Sequence, residues 1–369
     1  MTVYLVAILL TAIISTKGSR RRRCIVTEDG KEVYSWSNIY TIAILIVWCS
    51  VFAFREISIG SDTPGYHHYY TEIIRNNISY VAFIDRQRDL LFASLEYVCA
   101  RIFNGDWVCF QFVVALITYL PVISIVKKYS THVTASLLFF IFTLQFYSGF
   151  NGMRQGIATS LVIYAYYNFL LEKKFVKYAI LSMLAFGIHS SVLLATPFLV
   201  MSFWGVKSNI VKWSSAALVF LYVFINQLWP LVISFFMAVG QTKMAHDYVE
   251  LPTDDGSGIL RFIVSILPFI LGYLFKNRLG NKYDKFDNEL AIALYSGMFM
   301  LLSMRFWIFA RVGSYFSGCL ILLLPKFKDV FFQKQLGLAF LLMLYFAFMV
   351  AMLLHGEGGY YPYMLYFEP

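Results

Sequence analysis

Apolar stretches close in length to a membrane-crossing helix recur along the whole chain, separated by short polar turns. A helix needs about 20 consecutive apolar residues to cross the hydrocarbon core of a bilayer. Apolar residues make up 59% of the 369 residues and charged residues only 14%, and the mean hydropathy is +0.67. We therefore expect an all-α polytopic membrane protein with roughly twelve transmembrane helices, arranged as a single integral membrane domain over residues 1–369. The predicted spans lie at about 2–16, 38–54, 107–126, 132–149, 156–171, 177–189, 191–204, 213–238, 259–275, 288–304, 307–324 and 335–354.

Compact clusters of basic residues follow every second predicted span. They are Lys17 to Arg23, Lys127 with Lys128, Lys173 with Lys174, Lys207 with Lys212, Lys276 to Lys282, and Lys326 with Lys328. Because cytoplasmic loops carry an excess of lysine and arginine, these turns are expected inside and the alternate ends outside. This orientation predicts a first outer loop at about 55–106 with an amphipathic helix at about 90–103, a second outer loop at about 240–258, and an outer tail at 355–369.

The net charge of +9 is explained by the same inner turns. In a soluble protein such a charge would suggest nucleic acid as a partner. No DNA- or RNA-binding motif accompanies the charge here, so no nucleic acid partner is expected. The sequence thus points to membrane lipids and membrane-embedded substrates.

Ionisable residues stand at or near the outer ends of the apolar stretches. They are Arg55, Arg154, His189, Arg261, Arg305 and Arg311. Such groups at membrane depth are costly unless they have partners, which makes them functional candidates. The planar guanidinium donates a fork of hydrogen bonds that matches two phosphate oxygens. The set predicts an outward-facing phosphate or diphosphate site; the alternative is that these arginines extend to lipid head groups.

Two residues of the outer segments are candidates for a general base. His189 lies in an otherwise apolar turn, and imidazole titrates near neutral pH. The alternative is a histidine that merely sits at the membrane interface. Asp62, in the segment Gly60–Tyr66, is first of all a turn residue, since aspartate, proline and glycine all favour turns.

No metal or other cofactor is expected. The five cysteines are scattered without metal-ligand spacing. The chain has no evident nucleotide-binding loop and no paired Asp-x-Asp motif on an outer loop.

Four segments carry a resemblance to a known family. Residues Asn151–Ala158, followed by a short lysine-rich turn and then Leu184–Ser191, resemble the core of the EpsG/Wzy-type bacterial O-antigen and exopolysaccharide polymerases. Arg55 with Gly60–Tyr66 resembles the first outer loop of that family, and Arg311–Phe316 resembles its late arginine helix. Asp89 departs from the pattern, since a glutamate is expected in the helix of the first loop.

The resemblance implies a GT-C-like glycosyltransferase that uses lipid-linked sugars. Such an enzyme joins undecaprenyl-diphosphate-linked oligosaccharide repeat units on the periplasmic or extracytoplasmic face of the bacterial inner membrane and releases undecaprenyl diphosphate. Its partners are the lipid-linked donor and acceptor, membrane lipids, a chain-length regulator and a flippase.

The residues receive roles from this reaction. Arg154 and Arg311 are expected to stabilise the departing diphosphate. His189 is the first choice for the base and Asp62 the second. Further substrate-binding residues are expected to be Arg55, Arg305, Tyr66, Arg261, His246 and Tyr315.

Three other readings stay open at the level of sequence. A ligase that transfers finished glycan uses nearly the same chemistry. A flippase or transporter of the same lipid-linked sugar would need a cationic cavity, but also charges near the membrane midplane and repeat symmetry. A non-catalytic assembly scaffold would tolerate loss of the individual arginines.

Overall fold

Helices account for most of the computed structural model, which describes residues 1–20, 23–26, 32–238 and 256–366. In the described residues one hairpin pairs β1 (Arg23–Val26) with β2 (Glu32–Ser35) in antiparallel register. The predicted all-α class is confirmed. Contacts divide the chain into two compact units, Met1–Val192 with Leu324–Pro369, and Leu193–Leu323. The single membrane domain over the whole chain stays a prediction.

The described residues of the first unit begin with ten α-helices, and a π-helical turn at Tyr166–Leu170 follows the ninth of them. They are α1 (Thr2–Arg20), α2 (Asn38–Ala53), α3 (Thr63–Arg75), α4 (Tyr80–Ile84), α5 (Leu90–Ile102), α6 (Trp107–Tyr129), α7 (Val133–Phe142), α8 (Gln145–Asn151), α9 (Met153–Ala165) and α10 (Phe175–Ile188). The amphipathic helix predicted at about 90–103 is α5. Leu144 adopts the left-handed conformation, with φ of 65°, and α7 and α8 meet there at a bend of 43°. The predicted fourth span is thus a broken helix.

The described residues of the second unit form the next seven helices. They are α11 (Val192–Ser202), α12 (Asn209–Ala238), α13 (Ile259–Leu274), α14 (Lys276–Gly280), α15 (Phe286–Ser303), α16 (Ile308–Ser317) and α17 (Leu320–Leu323). The Tyr295 hydroxyl on α15 lies 2.7 Å from the Ser214 hydroxyl on α12. Phe299 on α15 stacks on Phe316 of α16 with ring centroids 5.2 Å apart. Helix α15 is therefore central to this unit.

The chain then returns to the first unit through the last predicted span. A 3-10 turn at Leu324–Val330 leads to α18 (Lys334–Leu354), and a second 3-10 turn follows at Glu357–Gly359. Beyond it, the backbone N–H of Glu56 donates to the carbonyl of Met364 at 2.9 Å. The described part of the predicted outer tail is thus fixed to the beginning of the first outer loop.

An aromatic core joins the helices of the first unit. Trp48 on α2 stacks on Phe140 of α7 at 5.3 Å and meets the edge of Tyr119 of α6 at 5.4 Å. Its indole N–H donates to the Thr11 hydroxyl of α1 at 2.9 Å, so its only polar atom is satisfied inside the core. Rigid packing of this kind holds in place the helix ends that carry the outer loops.

The ends of α2 and α6 lie on the sides of the first unit that the charge pattern predicts. At one end, the Gln111 side chain near the start of α6 donates to the carbonyl of Ala53 at the end of α2, at 3.2 Å. At the opposite end, Lys127 near the end of α6 donates to Asn38 at the start of α2, at 2.7 Å. The predicted outer loop and the predicted lysine turns therefore lie at opposite ends of this helix pair.

The helices agree with a multi-pass membrane protein. Among the described residues, five helices are long and apolar enough to cross a membrane, and a sixth span results if the bent pair α7 and α8 is counted as one. Each of the twelve predicted spans falls on a helix, but several are shorter than a full crossing. Shorter apolar helices are Asn38–Ala53, Phe175–Ile188, Val192–Ser202 and Ile259–Leu274. The number twelve stays a prediction.

Candidate functional site

Asp89 is the residue on which the site of the first unit converges. Its Oδ2 atom accepts a hydrogen bond from Nη1 of Arg154 at 3.0 Å and lies 3.3 Å from Nδ1 of His189. Its Oδ1 atom accepts the backbone N–H of Ser190 at 3.1 Å. The side chain is only 4% exposed. Arg154 and His189, the two predicted residues of the family-like core, are thus brought together by a carboxylate between them.

The position of Asp89 on its own helix makes this arrangement unusual. It is the N-cap residue of α5, where an aspartate normally accepts a hydrogen bond from an N–H of the first turn. Here the side chain makes no capping hydrogen bond. The carboxylate faces Arg154 and His189 instead, so helix stability is given up for the contacts of the site.

The carboxylate of Asp89 is held in its ionised form. Burial by itself raises its pKa, but the hydrogen bond and charge of His189, the charge of Arg154 and the N–H of Ser190 together lower it below the usual value. Since an ionised carboxylate only accepts hydrogen bonds, Nδ1 of His189 carries the proton in their contact. The lone pair of a neutral imidazole then lies on Nε2, which is buried and has no hydrogen-bond partner among the described residues.

Gly187 permits this contact between two helices. A Cβ atom at this position would lie 2.6 Å from Cδ1 of Leu91, the second residue of α5. A larger residue would therefore push the end of α10 away from the start of α5. Because His189 and Asp89 lie just beyond these two points, the close approach sets the distance between them.

Arg154 lies in the first turn of α9 and links Asp89 to Tyr66. Its Nε donates to the Tyr66 hydroxyl at 3.2 Å, and the guanidinium carbon lies 5.4 Å from the centre of that ring. The side chain is 32% exposed, and Nη2 makes no hydrogen bond to the described residues. Arg154 is thus oriented by two partners and still has donors for a ligand.

The first outer loop docks on the junction between α8 and α9. The Asn151 side chain accepts the Ser61 hydroxyl at 2.9 Å and the N–H of Asp62 at 2.8 Å. Gly60 has φ of +92°, and a Cβ there would lie 2.6 Å from the carbonyl oxygen of Phe150, so only glycine fits. Two of the segments that carry the family resemblance, 60–66 and 151–158, are thus neighbours in space.

A cavity of about 120 Å³ opens beside Arg154. Its lining residues are Asp62, Gly65, Tyr66, Tyr69, Gln87, Phe92, Glu96 and Arg154. Glu96 is 3% exposed, and its Oε1 has no hydrogen-bond partner among the described residues. Burial raises the pKa of Glu96 to about 8, although the charge of Arg154 acts in the opposite direction. Its carboxyl group is therefore mostly protonated at neutral pH.

Arg55 lies in the interior of the first unit. Its guanidinium packs 4.1 Å from the centre of the Phe52 ring and 4.9 Å from that of Phe150, and it donates to the carbonyls of both residues. It is fully buried. These contacts hold α2 against the end of α8, while the predicted contact with substrate stays a prediction.

The other predicted residues belong to the second unit or to no described segment. The N–H of Ser257, before α13, donates to the carbonyl of Ser303 at the end of α15, at 2.8 Å. The nearby arginines of this unit, Arg261, Arg305 and Arg311, therefore gather at one end of it. Arg305 is exposed beside the Tyr222 ring, Arg311 lies over Trp307, and Tyr315 is fully buried. His246 lies outside the described residues.

Two residues of the site were not assigned a role from the sequence. Asp89 was noted only as a departure from a pattern. Glu96 had a readable signal, because it shares the helical spacing of Phe92, Ala93 and Ala100, all of them buried. A carboxyl group on the buried stripe of a helix is the exception that marks function. Among the described residues, no three histidine, cysteine or carboxylate side chains form a metal-binding group.

Comparison with known proteins gives one match. The model of the EpsG family matches residues 37–365, a range that contains every residue of the site described above. No curated protein and no solved structure matches the chain significantly.

Proposed function

The chain belongs to the EpsG family, whose members are membrane proteins of exopolysaccharide biosynthesis, and on this basis we propose that it is a polysaccharide polymerase. Its substrates are two undecaprenyl-diphosphate-linked oligosaccharides, one the growing glycan and the other a new repeat unit. A hydroxyl of the new unit attacks the anomeric carbon of the growing glycan. The glycosidic bond forms as the bond between that carbon and the diphosphate oxygen breaks, and undecaprenyl diphosphate leaves.

The observation that carries this proposal is the Asp89–His189 contact at 3.3 Å. A carboxylate on Nδ1 fixes the imidazole tautomer and leaves Nε2 to take the proton of the attacking hydroxyl. The carboxylate also stabilises the imidazolium that forms. His189 is therefore the preferred base, and Asp62 on the wall of the cavity remains the second choice.

The charges of the cluster suit an anionic leaving group. With neutral His189, the charges of Arg154 and Asp89 cancel. When His189 takes the proton, the three residues together carry one positive charge, at the moment when the diphosphate leaves. Arg154, one-third exposed and with Nη2 unused among the described residues, is the group placed to donate to a phosphate oxygen.

The site lies at the end of the first unit that carries the predicted outer loop. We therefore assign the reaction to the periplasmic or extracytoplasmic face of the bacterial inner membrane. A flippase is disfavoured, since its binding groups should lie near the middle of the helices. A chain-length regulator and a flippase are the protein partners that such a polymerase needs. The contribution of Arg311 and Arg305 to diphosphate binding stays a prediction from sequence.

The test is the length of the lipid-linked glycan in membranes that contain His189→Ala or Arg154→Ala. We expect the glycan to stop at one repeat unit, with normal amounts of protein. His68→Ala, an exposed histidine on α3, is the matched control and should give normal chains. Normal chain lengths in both site variants would refute the proposal. Long lipid-linked chains that fail to reach their final acceptor would instead identify a ligase.

A further inference from the structure

Glu96 is a buried carboxyl group that the reaction described above does not use. It lies on the inward stripe of α5, is 3% exposed, and has an oxygen without a hydrogen-bond partner among the described residues. Buried polar atoms in folded proteins are nearly always hydrogen-bonded. Because Glu96 also lines the cavity beside Arg154, its free oxygen points to a ligand in that cavity.

The charges around the cavity argue against a phosphate as that ligand. Arg154 is the one cation in the lining, and it already forms an ion pair with Asp89. Two carboxyl groups, Asp62 and Glu96, belong to the same lining. A phosphate group in the cavity would meet the repulsion of the exposed Asp62, so an anion is poorly suited to this space.

The lining is well suited to an uncharged ring that carries hydroxyl groups. Gln87 supplies an amide donor and acceptor, and the carboxyl groups supply acceptors for hydroxyl hydrogens. Tyr66, Tyr69 and Phe92 supply aromatic surface for the C–H face of such a ring. A volume of about 120 Å³ is of the order of the ~150 Å³ cavity known to enclose one benzene ring. Since a hexose has twice as many heavy atoms as benzene, the space takes one face of a single sugar ring, with its other face towards the exposed edge formed by Asp62 and Tyr69, and not a chain.

The protonation of Glu96 fits a hydroxyl partner. A carboxyl group that burial keeps neutral at pH 7 both donates and accepts hydrogen bonds. A sugar hydroxyl has the same dual capacity. Pairing the two groups satisfies the buried oxygen without bringing an unpaired charge into the cavity.

We propose that this cavity binds one neutral sugar ring of the lipid-linked acceptor and that Glu96 is the hydrogen-bonding group that recognises one of its hydroxyls. The inference rests on the proposed function for the identity of the acceptor. It places the sugar next to Arg154, and hence close to the Asp89–His189 pair. Glu96 is thus a specificity-determining residue, distinct from the base.

Gly65 offers a way to fill the cavity without disturbing the fold. It lines the cavity, and a Cβ atom added to it would have no neighbour within 4 Å. Leucine is also a better helix former than glycine within α3. Gly65→Leu should therefore obstruct the cavity while α3 stays intact, and Gly65→Ala should have a smaller effect.

The experiment measures binding of free sugars to the full chain in lipid nanodiscs by saturation-transfer NMR. The probes are glucose, galactose, mannose and N-acetylglucosamine, and separately inorganic diphosphate. We expect at least one sugar to bind the natural protein and Glu96→Gln alike, since glutamine also donates and accepts. Glu96→Ala should weaken binding about tenfold, the loss expected for one buried hydrogen bond. Gly65→Leu should abolish binding, and Asp85→Ala, an exposed residue of the same loop, should not change it.

Each of the other outcomes overturns the inference. The neutral hydrogen bond is excluded if no sugar binds the natural protein. It is also excluded if Glu96→Ala and Gly65→Leu bind sugar as strongly as the natural protein, or if Glu96→Gln loses as much binding as Glu96→Ala. Diphosphate binding that Gly65→Leu blocks would make the cavity an anion site. Because the measurement needs no turnover, its result is independent of the glycan-length test, which probes the polymerase proposal by itself.

Discussion

Replacing Asp89 by asparagine tests whether the carboxylate acts through His189. The asparagine amide has nearly the shape of the carboxylate, but it offers an N–H₂ group in place of one acceptor. If that group faces Nδ1 of His189, now 3.3 Å from Oδ2, the imidazole must carry its proton on Nε2. His189 then no longer has a lone pair on Nε2 for the attacking hydroxyl, and the hydrogen bond that Oδ2 accepts from Nη1 of Arg154 is lost as well.

The size of the effect follows from the role lost. A positioned general base contributes about 10²- to 10⁴-fold to a rate, or roughly 2.7 to 5.4 kcal/mol. We expect Asp89→Asn to lower the polymerisation rate by a factor in this range. Little unfolding is expected, since Arg154 is one-third exposed and water can solvate it when its charged partner is removed.

The assay is the rate of glycan elongation in membranes supplied with the lipid-linked repeat unit. Asp85→Asn, an exposed aspartate of the same loop, is the matched control and should keep the natural rate. A double variant, Asp89→Asn with His189→Ala, should be no slower than His189→Ala alone, since residues that act as a unit are not additive. If Asp89→Asn elongates at the natural rate while His189→Ala does not, the positioning role of Asp89 is refuted.

Four further predictions concern the packing and the charges of the site. Gly187→Val should block elongation in the same assay by separating α10 from α5. Adding Leu91→Ala should partly restore elongation, since the added Cβ lies 2.6 Å from the Leu91 side chain. Gly60→Ala should lower the free energy of unfolding by about 1–3 kcal/mol, because φ of +92° is strained for alanine. An unchanged melting temperature would contradict this. Glu96→Gln should raise the free energy of unfolding at pH 7 by roughly 3 kcal/mol, as measured by chemical denaturation. The reason is that burial raises the pKa of Glu96 to about 8 in the folded protein, so that folding at pH 7 requires this carboxyl group to take up a proton that it lacks in the unfolded chain. Folding lowers the pKa of Asp89, so its carboxylate stabilises the folded protein above the unfolded pKa, and this stabilisation is lost as the pH falls through the folded pKa. Asp89→Asn should therefore make the melting temperature less dependent on pH in the acid range.

The helices of the first unit were predictable because their apolar runs end at polar turns. Bounds such as 2–16 for α1 and 38–54 for α2 lie within a few residues of the observed Thr2–Arg20 and Asn38–Ala53. The fourth span was not predictable in detail, since Thr143 and Gln145 interrupt the apolar run only briefly around Leu144, where the backbone turns left-handed. Apolar composition reports burial in lipid or protein, and it carries no information about where a helix bends.

The sequence predicted Arg154 and His189 as residues of the site, but it did not predict that Asp89 connects them. Arg154 and His189 stood out because a charge at the end of an apolar run is rare. Asp89 did not, because an aspartate before an amphipathic helix is already explained as an N-cap. In the fold its side chain makes no cap and turns instead towards Arg154 and His189, which lie 65 and 100 positions away in the sequence. A role that depends on long-range contact is hidden when a local role explains the same residue.

Arg154 divides the site into two environments of different charge. On one side its Nη1 meets Asp89 and, through it, His189; on the other its Nε meets Tyr66 in the wall of the cavity. The first side gains a positive charge when His189 is protonated, whereas the second has carboxyl groups and aromatic rings and no further cation in its lining. A glycosyl transfer to a sugar hydroxyl needs this division, because the nucleophile arrives neutral and the leaving group departs as an anion. The same guanidinium can therefore orient the acceptor ring through the Tyr66 wall and stabilise the diphosphate with its unused donors.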